Sequence, residues 1–136
     1  MFKNINSSEG LIAQLFDFSS ENQVDFPTPE NVPFQLGYGT CVDEYTAKPH
    51  IHKRVKREIN TTCEFIYVIS GKINIEIFDE TSKSIELLTV STNQGFLQYF
   101  GGHKITIMAG TKYFEIKQGP YYGRDYDKVD MLEELS

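Results

Sequence analysis

Residues 64–78, EFIYVISGKINIEIF, decide the fold. Two apolar runs flank Ser70 and Gly71, and in the second Ile73, Ile75 and Ile77 alternate with Asn74 and Glu76. Side chains two apart on a strand share a face, so this period predicts strands with one buried face and one wet face, joined at a glycine turn. Downstream, the same reading predicts strands over 84–90, 96–100, 103–108 and 113–117, and upstream over 36–45 and 50–53. Turn signals separate most of them, at residues 79–83, at Gly101-Gly102 and at Gly110-Thr111. Many short strands with hairpin-length connections and almost no helix predict an all-β sandwich or barrel.

The two ends read differently from the middle. Serines suited to an N-cap precede Leu11, Ile12, Leu15 and Phe16 at helical spacing, which predicts one short amphipathic helix over 7–17. Residues 19–33 are polar and carry Pro27, Pro29 and Pro33, so an extended arm is expected, able to cross to a neighbouring subunit. Residues 1–33 thus form an N-terminal helix and arm of the same domain, 34–119 the barrel, and 120–136 an acidic, turn-rich tail ending in a helical turn.

At 136 residues, 40% hydrophobic and 13% aromatic, the chain is sized for one domain with one core. No apolar run approaches membrane-spanning length and the first residues lack the order of a secretory signal, so no membrane and a cytoplasmic setting are expected. Cys41 and Cys63 are then expected to be buried thiols without a role. A net charge of −6 argues against nucleic acid, whose phosphates need a basic surface. Yet residues 48–57, KPHIHKRVKR, hold five of the thirteen basic residues and no acidic one. Lys53, Arg54, Lys56 and Arg57 are therefore candidates to bind an anionic small-molecule substrate, arginine forks being suited to phosphate.

That basic run surrounds His50 and His52, which share one face if 50–53 is a strand. Glu64 opens the next apolar run, and His103, the third and last histidine of the protein, lies downstream. Imidazole nitrogen and carboxylate oxygen converging in a small β structure are a candidate site for zinc, iron, nickel or manganese.

The succession H-x-H, then E-x6-G over Glu64, FIYVIS and Gly71, then Gly95, FLQYF and Gly101-Gly102-His103, resembles the two motifs of the cupin superfamily. The resemblance implies a double-stranded β-helix, or jelly-roll barrel, whose mouth holds one divalent transition metal on His50, His52, Glu64 and His103. It also implies a homodimer. Eleven residues separate His52 from Glu64 here, so a loop over 53–63 is inserted at the barrel mouth, and Glu58 is the alternative carboxylate.

A narrower resemblance lies in YFEIKQGPY, from Tyr113 to Tyr121, with Asp127 and Lys128 after it. It is similar to small cupin metalloproteins encoded in bacterial O-antigen and surface-polysaccharide gene clusters. This implies polysaccharide biosynthesis and an enzyme acting on a nucleotide-linked sugar or related anionic metabolite, of isomerase, epimerase or Lewis-acid type. A metal-dependent oxygenase, a non-catalytic metal- or ligand-binding cupin, and a metal-less histidine base oriented by Glu64 are the alternatives. Glu115, Lys117 and Tyr99 are secondary catalytic candidates: Tyr113, Glu115 and Lys117 are expected on the polar outer face of the last strand or at a salt-bridged dimer edge, and line the pocket if the register is reversed, while Tyr99 is expected to pack.

Overall fold

The computed structural model describes residues 2–19 and 26–131. It holds eight strands, β1 (Phe2–Ser7), β2 (Gly10–Asp17), β3 (Glu64–Ser70), β4 (Lys72–Phe78), β5 (Ser84–Ser91), β6 (Gln94–Gln98), β7 (Gly102–Ile107) and β8 (Lys112–Lys117), with one helical turn, α1 (Arg124–Asp127). All pairings are antiparallel, in a five-stranded sheet of order β1-β2-β6-β3-β8 and a three-stranded sheet of order β5-β4-β7. The protein is an all-β, barrel-like sandwich, and every strand expected from Glu64 onward is present. The turns fall where glycine and Asp79 put them: Gly71 has φ +108°, and the Asp79 carboxylate accepts from Thr81 N at 2.8 Å and Lys83 N at 3.0 Å.

The core lies between the sheets. Ile73, Ile75 and Ile77 of β4 are fully buried against Ile66 and Val68 of β3 and Phe96 of β6. Each such side chain contributes about 1.5–3 kcal/mol through its removal from water. A second cluster sits on the opposite face of the five-stranded sheet, where Phe16, Cys63, Leu97 and Tyr99 are covered by Val32, Phe34 and Leu36.

That outer cover explains the first departure from the sequence reading. Residues 7–17 are not a helix; they are the turn and second strand of the β1–β2 hairpin, with Gly10 at φ +119°. Ile12 and Ala13 face the inner core while Phe16 joins the outer cluster. A strand buried on both faces has no clean alternation, and its near-continuous apolar run mimics helical spacing. The N-terminal segment is thus integral to the larger sheet. Of the expected arm over 19–33, residues 20–25 lie outside the described residues; 26–33 run without regular structure across the outer cluster.

The second departure concerns the strands expected over 36–45 and 50–53. Residues 39–60 form no strand, and every residue from 39 to 58 is exposed. Burial alternates only as far as Tyr38, whose hydroxyl donates to Phe18 O at 2.9 Å. Beyond it the chain leaves the body as an extended arm and returns at Cys63. Pro49 offers no amide to a ladder, and Ile51 and Val55 after it stay exposed rather than packing on this chain's own body. Cys41, expected to be buried, is exposed on this arm, whereas Cys63 is buried.

Candidate metal centre

The register of the five-stranded sheet aligns one polar row at the end of the sandwich. Glu64 on β3 stands opposite Gln98 on β6 and Lys117 on β8. Glu64, Ile66 and Val68 share a face, so the row lies on the inner side, just past the apolar core. From the facing sheet, β7 brings His103, paired with Ile77 of β4. Its position depends on Gly101, which reverses the chain at φ +82° where a Cβ would stand 2.5 Å from Phe78 O. His103 Nε2 lies 3.6 Å from Glu64 Oε2.

Gln98 determines which nitrogen of His103 is available. Its amide Nε2 donates to Phe100 O at 2.9 Å and Gly102 O at 3.1 Å, which fixes the amide plane and leaves Oε1 as acceptor. His103 Nδ1–H donates to that oxygen at 2.7 Å. The Nε2 lone pair is therefore turned toward the Glu64 carboxylate. Burial holds the His103 imidazole below its ordinary value, and the pull of Glu64 in the other direction is smaller. A neutral imidazole with an oriented lone pair beside a carboxylate is half of a metal site, and equally a general base whose orienting partner is Gln98 rather than Glu64.

Lys117 Nζ lies 3.3 Å from Glu64 Oε1 and 3.5 Å from Glu115 Oε1. Burial works against its charge, but the two carboxylates outweigh it and raise its pKa. Of the two registers open for Glu115 and Lys117, the outer-face one is not adopted: their pairing with Ile66 and Glu64 turns them inward, beside the site. Tyr99 goes the other way. It lies on the outer face, 2% exposed, donates its hydroxyl proton to Gln14 Oε1 and is held well above the ordinary phenol range by burial, so it is a packing residue.

A cavity of about 600 Å³ opens over the row. Its floor includes Glu64, Gln98 and His103; the C-terminal segment closes its other side, with Asp127 accepting from Thr62 Oγ1 at 3.0 Å and Lys128 beside it. Glu64, Asp79, Glu80, Asp127 and Asp130 face it against Arg124 and Lys128, so within one chain it is acidic.

The four expected metal ligands stand as two pairs. Glu64 and His103 share the cavity, whereas His50 and His52 are on the exposed arm with ring centroids 5.1 Å apart and His50 Nδ1 against Lys48 O at 2.8 Å. Among the described residues no three histidine, cysteine, aspartate or glutamate side chains stand together as a metal-holding group. One chain therefore offers a nitrogen and an oxygen donor in the cavity and two further nitrogens on an arm that does not reach it. The alternative carboxylate Glu58 is also on the arm, 3.5 Å from Lys56. Lys53, Arg54, Lys56 and Arg57 are exposed there and do not line the cavity.

Sequence reasoning missed Gln98. Its signal is a polar residue at the inward position between Phe96 and Phe100, which reads as a core position until His103 is seen opposite it.

No family model matches the chain, no curated protein matches it, and no solved structure matches it. Among the described residues no helix is long and apolar enough to cross a membrane.

Proposed function

We propose that this chain is a metal-binding cupin, a double-stranded β-helix whose centre is built on Glu64 and His103 and completed by His50 and His52. The observation that carries this reading is the Gln98 clamp. A buried glutamine held by two carbonyls serves to fix one tautomer of His103, and an imidazole held through one nitrogen so that the other faces a carboxylate is the arrangement metal-ligating histidines adopt. A bound divalent transition metal would act as a Lewis acid on a carbonyl or hydroxyl of the substrate. His103 and Glu64 would hold it, and Lys117 would neutralise the carboxylates of the row.

The basic run over 53–57 and the likeness to cupins of surface-polysaccharide gene clusters support an anionic metabolite, a nucleotide-linked sugar, as the substrate of an isomerase, epimerase or Lewis-acid enzyme. The second reading, a metal-less acid–base site, rests on the same His103–Glu64 contact with Lys117 as its charge partner.

Elemental analysis of protein purified without a histidine tag tests the two. About one transition metal per chain is expected, lost in Glu64→Gln and in His50→Ala and retained in Glu58→Ala. Metal at background in the wild type leaves the acid–base reading; loss in Glu58→Ala with retention in Glu64→Gln reassigns the carboxylate.

A further inference from the structure

An arm of twenty exposed residues is a large expense for a small domain. Val42 is 88% exposed and Ile51 92%, with Tyr45 and Val55 beside them also in water. Loops of this length without structure are uncommon in compact domains and are usually either functional segments or linkers. The hydrogen bonds and ion pairs of its tip, His50 with Lys48 O and Lys56 with Glu58, are local.

The body offers a matching vacancy. β8 ends the five-stranded sheet, and its outer face leaves Phe114 and Ile116 exposed while its inner face carries Glu115 and Lys117 of the polar row. An edge with no partner strand among the described residues templates another strand. The arm has the pattern to supply it. In an extended strand over 50–55, His50, His52 and Arg54 fall on one face, Ile51, Lys53 and Val55 on the other. Set along β8, the first face meets Glu115 and the cavity of Glu64 and His103, and Ile51 and Val55 cover Phe114 and Ile116. Charge agrees with shape: the arm tip is basic and the cavity is lined by five carboxylates.

We propose that residues 39–60 are an exchange arm that adds as a strand along β8 of a second copy of this chain, so that His50 and His52 of one copy complete the centre begun by Glu64 and His103 of the other. The occupant is a second copy because each copy carries both the arm and the edge it fits, and a two-fold exchange closes both edges at once. Arg54, on the same face as His50 and His52, then arrives at the cavity mouth and offsets its carboxylates, which makes an acidic cavity better able to take an anion. The ligand part of this inference rests on the metal reading above; the arm exchange does not.

Complementation separates the two. A His50→Ala/His52→Ala copy and a Glu64→Gln/His103→Gln copy, co-expressed with different non-histidine tags and purified as the mixed dimer, should hold about one metal per two chains, while each parent alone holds background. A mixed dimer at background beside a loaded wild type overturns the exchange, because delivery within one chain gives no intact centre in that pair. If the wild type itself holds no metal, the metal reading fails and amide hydrogen exchange decides the arm. Slow exchange across 49–57 in a dimer, lost together with the dimer in Ile51→Asp, upholds it; a monomeric wild type, or an arm exchanging at the unprotected rate, overturns it.

Discussion

Two pairs of candidate ligands from one chain are held in opposite ways. Glu64 and His103 are each fixed by a ladder, Glu64 between β6 and β8 and His103 on β7, and Gln98 bridges the sheets by holding the imidazole. His50 and His52 sit on a stretch without ladder, burial or core. The contrast teaches that a motif names donors but not their support. E-x6-G coincides with a strand and its turn, so its glutamate is delivered by the fold. H-x-H in this chain precedes an inserted basic stretch, and the body of the same chain does not hold it.

The largest expected effect is on the supporting core. Phe96, one position inward from Gln98 on the same face, packs against the isoleucines of β4. Phe96→Ala should cost about 3–5 kcal/mol of unfolding free energy in urea titration, and a loss under about 1 kcal/mol would make the body no better packed than the arm. Next comes the clamp. Gln98→Leu keeps the side-chain bulk and removes the acceptor, so metal affinity should fall about 10–100-fold at unchanged secondary structure. An unchanged affinity would mean that His103 is positioned by its strand alone.

The smallest effect is in pH. Burial lowers the His103 pKa from its ordinary value, so an NMR titration of its ring should place the midpoint below that of a free histidine, and a midpoint at or above the free value would remove the reason for its poised lone pair. The sign for stability follows. Between the folded-state and ordinary values the unfolded chain binds the proton and the folded chain does not, so this contribution is complete above the ordinary value and is lost as pH falls toward the folded-state one.

Much of this was legible in the chain. Alternation in Ile73, Ile75 and Ile77 and the glycine and aspartate turns located the strands after Glu64, because local period and turn chemistry need no distant partner to be read. The inward side of Glu115 and Lys117 was not legible, since alternation defines two faces and only pairing with β3 says which is inside. The β1–β2 hairpin mimics a helix in sequence because its second strand is buried twice, and that second burial comes from Val32, Phe34 and Leu36, which no local period of the strand reveals.

The sequence by itself determined the all-β class, the turns and the donor types, since strand period, glycine freedom and side-chain chemistry are local properties. Only the tertiary structure decided that Glu64, Gln98, Lys117 and His103 form one polar row while Tyr99 packs on the opposite face and His50 and His52 stand off the body. Those outcomes depend on strand register and on which edges find partners, and both are set by burying long-range surface.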